Sequence, residues 1–211
     1  MASWVQQAVL VGLHAMILVV TGVLCGGFYV QFAQGEFPCP LCILERMAMI
    51  LAMVGPVAVL LTGLRHGRIE PEMWARSWGM LVVGALIGLV ISARHVLLHI
   101  APDDPGYGTP FLGLHLYTWA LLVFLALLAV AGVSLWFVGR ESVVFPSGFR
   151  RFAQAVVILF VAVILANSVV VFLRPGFRCF CPIHLRATNC SIRPSWTFSS
   201  VTSWWAIPAE H

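Results

Sequence analysis

The sequence predicts an all-α integral membrane protein: a four-helix transmembrane bundle, a fifth transmembrane helix and a C-terminal extramembrane tail. Three observations predict it. Of the 211 residues, 61% are hydrophobic and only 9% are charged, which is too apolar for a soluble domain of this size. The apolar residues fall into five runs separated by short polar stretches, each close to the roughly 20 residues that a helix needs to cross a hydrocarbon core of about 30 Å. None of the runs shows the alternation of barrel strands, and a helix satisfies its own backbone polar groups in lipid.

The first span is expected from about Ala8 to Phe32, a stretch without a charged side chain. Met1 to Gln7 has no positive n-region and the apolar run exceeds a signal-peptide core, so this span is expected to remain as an anchor. Within it, His14 reads as a neutral imidazole bonded to a neighbouring helix and Cys25 as a small buried hydrophobe.

A short link, 33–38, leads to Pro38-Cys39-Pro40-Leu41-Cys42-Ile43-Leu44-Glu45-Arg46, which opens a second span expected from about Ile43 to Leu64. The two prolines suit a first helical turn, where a missing N–H costs nothing. Cys39 and Cys42 are thereby placed at a helix N-terminus, where unpaired amides and the helix dipole favour thiolate over thiol. A Cys-x-x-Cys in that setting can exchange dithiol for disulfide, and Glu45 and Arg46 offer polar contacts on the same side of the helix.

Arg65 to Arg76 is read as a polar loop, followed by a third span from about Ser77 to Ile100 with Arg94, His95 and His99 in its last turns. An ionisable group there is either functional or paired, or, in the case of Arg94, snorkels to the interface. The stretch 101–110, rich in proline and glycine and free of cysteine, is a loop. The fourth span is expected from about Phe111 or Leu114 to Val138, with His115, Tyr117 and Trp119 near its start; the aromatics read as interface anchors, with ligand contact as the alternative. A basic loop, 139–151, precedes a fifth span at about 152–173. The organisation expected is therefore a membrane bundle over 1–138, a loop and fifth helix over 139–173, and a tail over 174–211 that holds Cys179, Cys181, Cys190 and several tryptophans.

All of the formal charge of +4 rests on arginine as the only strong cation, since lysine is absent. The arginines sit at segment ends without clustering, which fits topology and lipid headgroups and excludes a nucleic-acid partner. Six of them lie in the 65–76 and 139–151 loops and none in the 33–42 link or the 101–110 loop. The positive-inside bias then puts the cysteine pair outside the cytoplasm, in an oxidising compartment. Parity puts the tail on that side too, against the mild opposing pull of its four arginines.

The order of an apolar span, Pro-Cys-x-x-Cys-Ile-x-Glu-Arg opening a second, a basic loop, a third span and then Phe111-Leu112-Gly113-Leu114 resembles the bacterial disulfide-bond-formation protein B (DsbB) family over roughly residues 8–138. The resemblance implies a thiol oxidase of the bacterial inner membrane. In that family the Cys-x-x-Cys passes electrons to ubiquinone or menaquinone and reoxidises a periplasmic thioredoxin-fold protein. It implies Cys39 and Cys42 as the reacting pair, Arg46 and His95 beside the quinone, Glu45 as part of the motif, and His99 by proximity.

Two departures stand out. The cysteine pair that the family usually carries between the third and fourth spans is absent, and an extra fifth span and tail are present. Cys179, Cys181 and Cys190 are candidates for the relocated second redox pair, receiving electrons from the soluble partner or from a dedicated client. With His184 they also make four candidate zinc ligands, although the Cys-x-Cys spacing is tighter than in structural zinc sites, and no metal is expected. A competing reading is a non-catalytic assembly subunit that docks into a larger membrane complex through the Trp-rich tail.

Overall fold

The computed structural model describes residues 3–33, 39–101, 106–108, 110–137 and 142–173. Cys179, Cys181, Cys190 and the remainder of the tail lie outside the described residues, as do Pro38, Arg140 and Glu141. Five helices are present: α1 (Ser3–Ala33), α2 (Pro40–His66), α3 (Pro71–Leu98), α4 (Leu116–Phe137) and α5 (Arg150–Leu173). All five are long and apolar enough to cross a membrane, and the protein is an all-α multi-pass membrane protein. Large side chains such as Val19, Val83, Val90, Leu97, Ile158 and Leu165 are exposed along their outer faces, as expected where the surrounding solvent is hydrocarbon.

Between membrane helices the solvent gives no hydrophobic drive, so association relies on close packing, and small residues allow the closest approach. The tightest seam joins α2 to α3. A methyl added at Gly84 would lie 2.5 Å from the backbone nitrogen of Ala52, so the two backbones touch there. Trp74, Leu81, Ala52, Met53 and Leu60 fill the layers around this contact, and Phe124 of α4 closes the next one.

The sequence-based boundaries need correction at two places. α3 begins at Pro71, not at Ser77, because Pro71 stands in the first turn with Glu70 as N-cap and Glu72 inside that turn, an arrangement favoured by both proline geometry and the helix dipole. Six of the residues assigned to the polar loop, Pro71 to Arg76, are therefore the start of a helix. Second, Phe111-Leu112-Gly113-Leu114 is not helical. Its end residues exchange backbone hydrogen bonds of 2.8 and 3.1 Å, and Leu112 and Gly113 both have positive φ, 52° and 81°, which is a two-residue turn of the I′ kind. α4 starts only afterwards, at Leu116.

The far end of the bundle carries a feature absent from the expectations. β1 (Arg68–Ile69) and β2 (Val143–Val144) pair antiparallel, with Arg68 opposite Val144 and Ile69 opposite Val143. Phe145 N–H donates to Gly67 O at 3.0 Å, and Arg150 Nη2 donates to Leu64 O at 2.8 Å, serving one of the last carbonyls of α2. The α2–α3 and α4–α5 connections are thus fastened to each other. His14 bonds its own helix, through Leu10 O at 2.6 Å, and packs tilted against the Phe152 ring of α5 at 5.1 Å; among the described residues it makes no hydrogen bond to a neighbouring helix of the kind expected.

Gly84→Val is expected to wedge α2 from α3 and to destabilise the bundle by about 1–3 kcal/mol, the usual cost of overpacking. Unfolding by denaturing detergent, followed by circular dichroism, checks this, with Gly79→Val, where an added methyl meets nothing within 4 Å, as the neutral comparison.

Candidate active site

Cys39 is the N-cap of α2: its backbone is extended (φ −68°, ψ 160°), and its sulfur accepts the Cys42 backbone N–H at 3.2 Å. One of the free amides of the first turn is thereby satisfied by the reacting residue itself. Both cysteines are thiols, with Sγ atoms 2.9 Å apart. Glu45 and Arg46 follow Cys42 by three and four residues, so the helix period brings all three onto one side of α2.

Glu45 and His95 are both buried, and His95 Nδ1–H donates to Glu45 Oε1 at 3.0 Å across the α2–α3 seam. That bond assigns the tautomer and turns the opposite nitrogen, Nε2, to within 3.7 Å of Cys39 Sγ. Cys39, His95 and Glu45 therefore form a thiol–imidazole–carboxylate chain. The Cys39 thiol is held far below its ordinary value, to about 4, chiefly by its hydrogen bond with Cys42 and secondarily by His95, against the opposing effect of burial. At neutral pH it is a thiolate, the form that attacks and exchanges.

Arg46 points the other way, toward α1. It donates to Gln31 Oε1 at 3.0 Å and to Gly27 O at 2.8 Å, and its guanidinium lies 5.6 Å from the centre of the Phe28 ring. A methyl on Gly27 would stand 2.9 Å from Arg46 Nη2, so glycine makes room for the cation. Cys42, Glu45, Arg46 and Gln31 border an open, mainly apolar cleft between α1, α2 and α4, closed on the α4 side by Tyr117 and Trp119.

Four of the six residues singled out by motif and resemblance, Cys39, Cys42, Glu45 and His95, are brought into one contact chain, and Arg46 joins it at the cleft. His95 itself does not border the cleft; its neighbours are Cys39, Glu45 and the Tyr117 ring at 4.5 Å. His99 sits one turn further on, its ring 5.6 Å from His95 and 5.4 Å from Tyr117. Arg94 is exposed on the outer face of α3, the snorkelling alternative.

Gln31, Tyr117 and Trp119 belong to the site but were not singled out for it. Tyr117 packs on His95 and stacks on His115 at 5.3 Å, and Trp119 Nε1–H donates to Phe111 O at 2.9 Å, tying the turn to α4. Gln31 carried a signal: an amide in an uncharged apolar run is subject to the same reasoning as an intramembrane ionisable group. For the two aromatics ligand contact is only the lesser alternative in the sequence, because ring residues at a span end are ordinarily anchors. Among the described residues, Cys39, Cys42 and His95 are also the one group whose ligand atoms lie close enough to share a metal ion.

Site-resolved alkylation across pH is expected to show Cys39 reacting at a constant rate from pH 6 to 8 and losing reactivity with a midpoint near about 4. Because His95 acts to lower that midpoint, His95→Ala is expected to raise it by about one unit or more; an unmoved midpoint would show that the imidazole does not act on the thiol.

The family model for "Disulfide bond formation protein DsbB" matches residues 10–108. Among curated relatives, the disulfide bond formation protein B of Nitrosococcus oceani is 32% identical over 166 residues, covering 61% of this chain and 86% of the relative. That of Burkholderia ambifaria is 27% identical over 143 residues, covering 54% and 81%. That of Pseudomonas syringae pv. tomato is 33% identical over 93 residues, covering 41% and 51%. No solved structure matches the chain. With the cysteine pair, its Glu-Arg and the helices that hold them inside the matched region, the chain belongs to the disulfide bond formation protein DsbB family.

Proposed function

We propose that the protein is a quinone-dependent thiol oxidase of the bacterial inner membrane. In this reading Cys39 and Cys42 take two electrons from a reduced dithiol on a periplasmic thioredoxin-fold protein, or on one dedicated client, and pass them to ubiquinone or menaquinone. The observation that carries the reading is the placement of a reactive cysteine pair at a helix N-terminus, at the rim of an apolar cleft lined by a cation and an amide. Membership in a family whose curated relatives are named for disulfide bond formation supports it.

The residues of the cleft fit a quinone. The walls are apolar enough for a ring, and Gln31 supplies a donor: its Oε1 is occupied by Arg46, so its Nε2–H group, buried and without a partner among the described residues, remains for a carbonyl oxygen. An unmet buried donor costs about 1–3 kcal/mol, so a ligand acceptor there gains that much in return. Gln31, Arg46, Cys42, Tyr117 and Trp119 would hold the ring. When bound, a quinone takes up two electrons and two protons, chemistry that no side chain supplies.

The remaining steps belong to the chain's own groups. The partner's dithiol is oxidised as the Cys39–Cys42 disulfide is reduced, by attack of a partner thiolate on one sulfur and departure of the other. Cys39 is the better leaving group, being held as thiolate. His95 Nε2, 3.7 Å from Cys39 Sγ, takes or returns the thiol proton while Glu45 keeps the imidazole aligned. Arg46, held by Gly27 and Gln31, contributes fixed positive charge at the cleft wall without having to reorganise.

The cysteine-free 101–110 loop favours a second reading, a non-catalytic subunit of a larger complex. Turnover separates the two. Purified protein given a reduced dithiol protein and ubiquinone is expected to reduce the quinone, and Cys39→Ser or Cys42→Ser to abolish this; unchanged turnover in either variant excludes the thiol-oxidase reading. Gln31→Leu, which removes the donor to the quinone carbonyl, about 1–1.5 kcal/mol, together with the acceptor that holds Arg46, is expected to raise the KM for quinone by about tenfold or more. A membrane-impermeant maleimide applied to intact, mildly reduced cells is expected to label Cys39 or Cys42, and labelling only after permeabilisation would reverse the assigned side.

A further inference from the structure

We propose that in the dithiol state Cys39, Cys42 and His95 form a binding site for one soft or borderline d10 cation, represented by Zn²⁺, and that its occupancy arrests the thiol chemistry. The proposal rests on the pair cycling through a dithiol, as the thiol-oxidase reading requires, and adds a ligand of a different class.

The ligand atoms of the three residues lie within 4.8 Å of one another. In tetrahedral zinc coordination, with bonds of about 2.3 Å to sulfur and 2.0 Å to nitrogen, a thiolate and an imidazole nitrogen stand about 3.6 Å apart. Cys39 Sγ and His95 Nε2 are already 3.7 Å apart. The two sulfurs, 2.9 Å apart, must separate by somewhat under about 1 Å to reach tetrahedral spacing, a displacement available to side-chain rotation of Cys42.

Beyond the three ligands, the support is also present. Glu45 Oε1 holds His95 Nδ1–H at 3.0 Å, the carboxylate–histidine arrangement that presents the other nitrogen to a metal and raises its basicity. Two thiolates and one imidazole select thiophilic cations such as Zn²⁺ and Cu⁺ over Mg²⁺ or Ca²⁺. Three protein ligands leave the fourth position for water, as in open zinc sites. The charges balance as well: with Cys39 already a thiolate, Zn²⁺ displaces the Cys42 thiol proton and any proton held on the His95 nitrogen facing Cys39, both passing to solvent, so two metal–sulfur bonds and one metal–nitrogen bond form with no change in oxidation state and no uncompensated charge in a half-buried site. A disulfide offers no thiolate, so the oxidised protein has no such site. With both sulfurs tied to the metal, neither exchange with a partner nor closure to the disulfide can proceed.

The test uses the full-length chain with Cys25, Cys179, Cys181 and Cys190 replaced by serine, reduced with a phosphine and titrated with Zn²⁺ against a chromophoric chelator. One Zn²⁺ per reduced chain and none per oxidised chain is expected. Cys39→Ser, Cys42→Ser and His95→Ala should each weaken binding at least tenfold, and Glu45→Gln should weaken it by about 10–100-fold. X-ray absorption of the zinc-loaded parent, which needs no further variant, should show two sulfurs near 2.3 Å and one imidazole nitrogen near 2.0 Å. Equal zinc uptake by the oxidised chain, unchanged affinity in His95→Ala, or a zinc shell without an imidazole would each overturn the proposal. Quinone reduction is read separately, on the protein with all six cysteines in place: stoichiometric zinc binding by the serine-replaced chain while the six-cysteine protein fails to reduce quinone would remove the oxidase reading and leave the metal site standing.

Discussion

The hydrogen bond between Glu45 and His95 is the constraint from which the working end of the molecule follows. It joins two ionisable groups from different helices at a depth where neither could stay buried alone, and removing one partner of such a pair typically costs about 3–5 kcal/mol. It can form only because α2 and α3 approach closely at Gly84 and Ala52. In turn it sets which imidazole nitrogen faces Cys39. One contact thus couples helix packing, tautomer and thiol reactivity, and a change anywhere along the α2–α3 seam is transmitted to the sulfur.

The two ends of the bundle are built on opposite logic. At the far end, paired strands and an arginine on the last turn of α2 fix the connections with backbone hydrogen bonds. At the cysteine end the links are side chains: a buried imidazole, an amide and a guanidinium, with an open cleft between them. The proposed exchange of disulfides with a partner and of electrons with a lipid-soluble carrier needs the second kind of end to admit ligands. The first kind keeps the helices from separating while it does so.

Much of this was legible in the sequence because lipid imposes strict rules. Five long apolar runs could only be helices, and a Pro-Cys-Pro opening put the cysteines at a helix start; both are observed. What escaped notice depended on contacts between segments distant in the chain. Val143–Val144 carries no turn signal and becomes a strand only because Arg68–Ile69 lies opposite. Phe111 to Leu114 is apolar enough to read as helix, and only its positive φ values reveal the turn. Pro71 was hidden by the charges around it, although proline followed by glutamate is itself a helix-start signal. Gln31 looked like one polar residue at the end of a run until Arg46 was seen to occupy its oxygen.

The position of Cys39 as the N-cap of α2 has a mechanical consequence. The sulfur that accepts the Cys42 amide is also the sulfur that reacts, and as a thiolate it is a strong, charged acceptor at the positive end of the helix. A disulfide sulfur is a weak, neutral one. On the proposed thiol-oxidase reading, each redox cycle tightens and slackens the first turn of a transmembrane helix, so the oxidation state is recorded in backbone order at the rim of the bundle.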